Sequence, residues 1–144
     1  MESCWVIVAD SSRARVFRRE PGLQIHEFED LLNPDSRLKE QDLVSDAPGR
    51  GMNRPRSSRF AISEPISQRD QSERTFAKRI AEFLVTARRR GEVQRLHLVA
   101  APRFLGLLRA GLDKDTRAIV GSETPKNVVR MDPETLRALL PEYL

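Results

Sequence analysis

Leu96-His97-Leu98-Val99-Ala100-Ala101-Pro102-Arg103-Phe104-Leu105, residues 96–105, holds a run of apolar side chains and then a proline. Successive residues of a strand point to opposite faces, so a run apolar at nearly every position predicts a central strand covered on both sides. Pro102 suits the first position of a helix, where its missing N–H has no partner to lose, and Phe104, Leu105, Leu107 and Leu108 supply the apolar side before Gly111. A buried strand leading straight into an amphipathic helix points to an α/β sheet.

Upstream, Phe76, Ile80, Phe83, Leu84 and Ala87 recur at helical spacing. Asp70-Gln71-Ser72-Glu73 has the form of a capping box, which predicts that this helix starts at Asp70. Arg88, Arg89 and Arg90 suit the negative end of its dipole, and Gly91 is a natural stop. Downstream, Ala118–Gly121 reads as another short strand. Asp132-Pro133 then opens a closing helix with Leu136, Leu139 and Leu140 on its apolar face.

At the start of the chain, Trp5–Ala9 is a short β-branched run bounded by Asp10-Ser11-Ser12, a buried strand and a turn. Arg13–Arg18 alternates polar and apolar residues, the pattern of a half-exposed strand. Pro21-Gly22 makes the next turn, and Gln24–Asp30 alternates again around Ile25 and Phe28. From Leu31 to Ser72 neither period persists, and Asn33-Pro34, Pro48-Gly49, Pro55 and Pro65 punctuate the stretch. The expectation is one domain over residues 1–144 in the order β-β-β-loop-α-β-α-β-α. It is a mixed sheet with helices packed on it and a long arginine-rich loop at about 31–72.

The chain's 144 residues are 39% hydrophobic and 32% charged, a composition that folds. Twenty-five Lys and Arg against 21 Asp and Glu give a net charge of +4, too mild by itself to identify a polyanion partner. Its distribution says more. Gly49–Arg59 contains Arg50, Arg54, Arg56 and Arg59 and no acid. Four guanidiniums on such a backbone suit a nucleic-acid strand, although only Phe60 stands near as an aromatic platform. A GC-rich genome would also favour arginine over lysine, and a solvated loop without a partner is the plain alternative. Arg103, at the C-terminal end of the central strand and the start of a helix, lies where open α/β sheets hold anions, and a well-capped helix start is the plainer alternative.

Catalytic patterns are absent. There is no Gly-x-Ser-x-Gly elbow, Walker-type phosphate loop or paired-glycine dinucleotide fingerprint, and no cofactor or metal site is expected. Asp10 would need Asp30, Asp113 or Asp115 beside it to hold a metal, and reads more simply as a turn residue accepting backbone N–H groups. His26 and His97 have no ligating company and are read as structural. Cys4, the only cysteine, excludes an internal disulfide and is expected to be a buried thiol. The opening residues lack a leader pattern and no apolar stretch reaches membrane-spanning length, so a cytoplasmic location is expected.

Trp5–Phe17 (WVIVADSSRARVF), Asn33–Arg50 (NPDSRLKEQDLVSDAPGR) and Leu96–Arg109 (LHLVAAPRFLGLLR) resemble, in this order, the bacterial host-attachment protein family. Ser45–Arg50 and Ala101–Gly106 are the most specific segments. Pro125–Val129 departs from the pattern, with only Lys126 in agreement. That family is similar in topology to the middle domain of eukaryotic and archaeal peptide-chain release factors and of Pelota. The resemblance implies a translation-associated domain whose long loop stands where release factors carry a Gly-Gly-Gln tip. Here Gly49-Arg50-Gly51 stands instead, so peptidyl-tRNA hydrolysis does not carry over.

Three function classes follow. The first is a non-catalytic binding protein that meets RNA or the ribosome through Arg50, Arg54, Arg56 and Arg59. The second is a protein–protein interaction module in attachment to host cells. The third is a metal-dependent hydrolase, which rests on catalytic members of the superfamily alone.

Overall fold

The computed structural model describes residues 2–22, 24–35 and 54–141, with side chains of the first helix described from residue 68 on. Five strands form one sheet: β1 (Cys4–Ala9), β2 (Arg13–Glu20), β3 (Gln24–Leu32), β4 (Arg95–Ala100) and β5 (Val120–Thr124), in the spatial order β3-β2-β1-β4-β5. The first three make an antiparallel meander, while β1, β4 and β5 run parallel. The helices are α1 (Arg54–Arg89), α2 (Pro102–Gly111), α3 (Lys114–Ala118) and α4 (Pro133–Ala138). The mixed α/β architecture expected from the sequence is the one observed.

Two apolar layers enclose the sheet. On one face Trp5, Ile7 and Ala9 of β1 and Leu96 and Leu98 of β4 meet Phe76, Ile80 and Leu84 of α1 and Phe104 and Leu108 of α2. On the other, Val6, Val8, Phe17 and Val99 meet Val129, Leu136 and Leu140. Every residue of β1 is therefore buried, as the unbroken apolar run requires. The chain around α4 also covers β2. Ala14, Arg15, Val16 and Phe17 are all buried, so β2 is not the half-exposed strand its alternation predicts. Arg15 lies inside because its guanidinium finds both carbonyl and carboxylate partners there.

Three further expectations are corrected. The loop expected over 31–72 is helical from Arg54 on. No glycine occurs between Gly51 and Gly91, Pro55 sits in the first turn where proline is tolerated, and the single interior Pro65 costs a hydrogen bond without ending the helix. Asp70 is consequently an interior helix residue and not a cap. The fourth strand-to-strand connection contains an unforeseen short helix, α3, capped by Asp113, whose Oδ1 accepts the Thr116 N–H at 2.8 Å. β5 therefore starts at Val120 and not at Ala118.

The helix ends follow local chemistry. Gly91 has φ 75°, and the Gly91 and Glu92 N–H groups donate to the Arg88 and Ala87 carbonyls, a Schellman closure of α1. Asp132 caps α4 through Thr135. Gly111 serves close packing: a β-carbon there would stand 2.8 Å from the Ala81 β-carbon. Gly111→Ala should force α1 and α2 apart at a cost of about 1–3 kcal/mol, read as a lowered denaturation midpoint. An unchanged midpoint would mean that this helix pair separates freely at that point.

Candidate nucleic-acid interface

α1 has 36 residues, a length of about 54 Å. The six-residue strands β1 and β4 that it crosses reach only about 20 Å. Among its described side chains, from residue 68 on, the buried positions run from Ser72 to Ala87, and these pack on the sheet. The N-terminal half carries three of the four arginines named from the sequence, Arg54, Arg56 and Arg59; Arg50 lies outside the described residues. At about 100° per residue, Arg56 and Arg59 are about 60° apart around the helix, whereas Arg54 is displaced by about 160° from Arg56. The first turn contains no acidic residue. The positive end of a helix dipole favours anions as arginines do.

Arg103 is held elsewhere. From the first turn of α2 its Nη2 donates to Asp70 Oδ1 of α1, and its Nε stands 3.6 Å from Glu73 Oε2. Arg74 Nε also donates to Asp70, at 2.8 Å. Arg74 first and Arg103 after it keep the Asp70 carboxyl below the usual carboxylate range. Arg103 thus joins α1 to α2 through carboxylates of the same chain. Asp70, which it holds, lies three helical turns along α1 from Arg59, about 16 Å. Among the later cations, Arg88 and Arg89 meet Asp113 at 3.6 and 3.3 Å, while Lys78 and Arg90 are exposed.

The junction between β3 and α1 is fixed by a residue that sequence reasoning passed over. Asn33, 5% exposed, donates through Nδ2 to the Ser11 carbonyl at 2.9 Å and to Ser72 Oγ at 3.0 Å. Its Oδ1 accepts the Asp35 N–H and its own N–H reaches the Ser12 carbonyl. One side chain therefore ties the end of β3, the β1–β2 turn and α1 together. An asparagine before a proline at the end of a strand was its only sequence signal.

Asp10 behaves as a turn residue, with Oδ1 accepting Ser12 N, Ser12 Oγ and Arg13 N at 2.8–2.9 Å. Asp30 is taken by Arg13 and Asp113 by Thr116. Among the described residues no three His, Cys, Asp or Glu side chains gather around a possible metal position. His26 is exposed on β3. His97 is fully buried in β4, its Nδ1 2.6 Å from Ser122 Oγ. Burial first, then Arg95, Arg137 and Arg19, push its pKa down to about 4, which leaves the ring neutral at pH 7. Burial likewise raises the Cys4 thiol above its ordinary value. No described helix is long and apolar enough to cross a membrane.

The arrangement is that of a mixed α/β sheet protein with helices on both faces and a long first helix whose N-terminal half carries Arg54, Arg56 and Arg59. The chain belongs to the family described as "Protein required for attachment to host cells", whose model matches residues 5–140. No curated protein matches it. Among solved structures it is similar to an archaeal translation termination factor, aRF1, at 13% identity and a TM-score of 0.48, covering 84% of this chain and 29% of that one. A structure described as an archaeal protein gives 12% identity and a TM-score of 0.45, covering 89% of this chain and 31% of that one. The chain thus spans less than a third of the length of either.

Proposed function

We propose that the protein is a non-catalytic binding protein whose Arg50–Arg59 segment contacts RNA, on the ribosome or free. The supporting observation is that three of these arginines occupy the start of a long helix whose first turn holds no acid. Helix dipole and guanidiniums then act in one direction on a phosphate. Arg56 and Arg59 are neighbours on the helix and would follow one strand, with Arg54 reaching a separate phosphate. Arg103, already paired with Asp70 and Glu73, contributes by holding α1 against α2.

The test is sedimentation of tagged protein from lysate at low and high salt, with and without ribonuclease. The native chain is expected to travel with ribosomes or RNA, and salt, ribonuclease or the Arg50, Arg54, Arg56 and Arg59→Ala variant should each release it. With single-stranded RNA, the slope of log affinity against log salt should flatten by about 3 in that variant, roughly 0.7 per lost phosphate contact. A native chain that stays at the top of the gradient under every condition refutes the proposal. The family's description favours a second reading, a protein partner in attachment. Ribonuclease-insensitive capture that depends on the same arginines would point there.

A further inference from the structure

A groove of about 350 Å³ runs between β3 and the C-terminal half of α1. Leu31, Phe83, Thr86 and Ala87 line it, together with the exposed charges of Arg79, Glu82, Arg90 and Glu92. Its wall at Phe83 is stiff, because Phe83 stacks on Trp5 with ring centres 6.0 Å apart and Trp5 meets Phe28 edge-on at 4.9 Å. Phe28 and Leu32, the exposed large apolar side chains among the described residues, both stand on β3 beside Leu31. Apolar surface left open and rimmed by charge marks an interaction face.

The charges follow an order. Arg79, Glu82, Thr86 and Arg90 are three, four and four residues apart, so they share one stripe of the helix. Arg90 N–H still bonds the Thr86 carbonyl at 3.0 Å, and Glu92 N–H is fixed to the Ala87 carbonyl at 2.9 Å. Glu82 and Arg90 stand four residues on either side of Thr86, about 6 Å along the axis. Arg79 lies seven residues before Thr86 and Glu92 six after it. From Arg79 the signs run plus, minus, plus, minus; from Glu92 they run minus, plus, minus, plus. Among the described residues none of these four meets an opposite charge in its own chain, whereas Arg13, Arg74, Arg88, Arg103 and Arg109 do. Arg79 Nη1 donates to the Leu32 carbonyl at 3.4 Å, a contact that orients the guanidinium without neutralising it.

We infer that this groove is the contact between two copies of the chain, related by a two-fold axis at Thr86, with α1 antiparallel to the partner's α1. A two-fold contact needs a surface complementary to itself, and this order of charges has that property. Turning one copy about Thr86 sets Glu82 opposite the partner's Arg90 and Arg79 opposite the partner's Glu92, each twice. Leu31 and Phe83 of both copies then close over the groove between the charged pairs. The groove lies on the half of α1 that packs on the sheet, so the inference does not rest on the RNA reading.

The test is sedimentation equilibrium of ribonuclease-treated protein, in which RNA cannot bridge two chains. The native chain is expected to dimerise, and more weakly as salt rises. Glu82→Arg brings like charges face to face in both halves of the contact, and so does Arg90→Glu. Each variant, checked for native circular dichroism, should raise the dissociation constant of the dimer by about tenfold or more. An equimolar mixture of the two variants should associate about as tightly as the native chain, because each altered position then meets its opposite. A native chain that stays monomeric up to millimolar concentration overturns the inference and leaves the groove to a different protein. A mixture that associates no better than either variant alone overturns it as well.

Discussion

Acidifying the protein from pH 6.5 to 4 is expected to remove roughly 3 kcal/mol of stability through His97 alone. Its pKa falls from 6.5 in the open chain to about 4 in the folded one. A group whose folded pKa is depressed contributes its stability fully above the open-chain value. As pH drops through 6.5 the unfolded chain takes up a proton that the folded chain refuses, and the loss continues until folded His97 titrates near 4. Burial is the main cause, and three arginines make the proton still less welcome. Asp70, Asp113 and Asp132, all lowered from 3.8, act in the same direction but at and below the lower end of this window. Urea midpoints at a series of pH values should fall steadily from 6.5 to 4 in the native chain and stay flatter in His97→Gln. If both chains lose stability in parallel over that range, another group controls the acid sensitivity.

Arg15→Ala is expected to cost about 3 kcal/mol, the lower end for breaking a buried pair. The Arg15 side chain is 8% exposed, against 29% for Glu27. Its Nη2 and Nε meet the two Glu27 oxygens at 2.9 and 3.2 Å, and Nη1 donates to the Val129 and Met131 carbonyls at 2.7 and 2.6 Å. Alanine would leave a half-buried carboxylate and two carbonyls without these donors, and would uncouple β2 from the segment that carries α4. Replacing both partners by apolar residues should cost less than Arg15→Ala, because no charge is then left alone in the interior. Urea denaturation of the single and double variants gives the comparison. A loss under about 1 kcal/mol, the range of exposed pairs, would mean that water reaches Glu27 and replaces the guanidinium.

The parts of the fold that the sequence revealed are those where one local signal acts alone. Trp5–Ala9 and Leu96–Ala101 are apolar at almost every position and became β1 and β4. Phe76, Ile80, Leu84 and Ala87 share one helical stripe and pack together. Errors arose where tertiary partners changed the meaning of a pattern. Arg15 sits on the polar side of an alternating strand, yet the segment at Val129–Met131, more than a hundred residues later, buries it. Asp70 and Glu73 have the spacing of a cap, but Arg74 and Arg103 use them within and between helices. Prolines 55 and 65 suggested a loop, whereas the glycine-free run around them extends α1 to Arg54. Of the proposed interface, the arginine cluster was legible. That Arg54, Arg56 and Arg59 belong to a helix while Arg103 is held by Asp70 and Glu73 was not, because spacing along a chain becomes spacing in space only once the element is known.

The position of β1 at the centre of the sheet sets the order of events during synthesis. Its first edge is satisfied at once by β2, the next strand made, through a short hairpin. Its second edge waits for β4, two-thirds of the way along the chain. At translation rates of about 5–20 residues per second the wait lasts several seconds. Throughout it, Cys4–Ala9 presents an uncharged, β-prone edge with no proline, the kind of segment that recruits a neighbouring nascent chain. Yield in the cell should therefore depend on how quickly the second half of the protein emerges, so that slow codons between α1 and β4 would promote aggregation without altering any contact of the finished molecule.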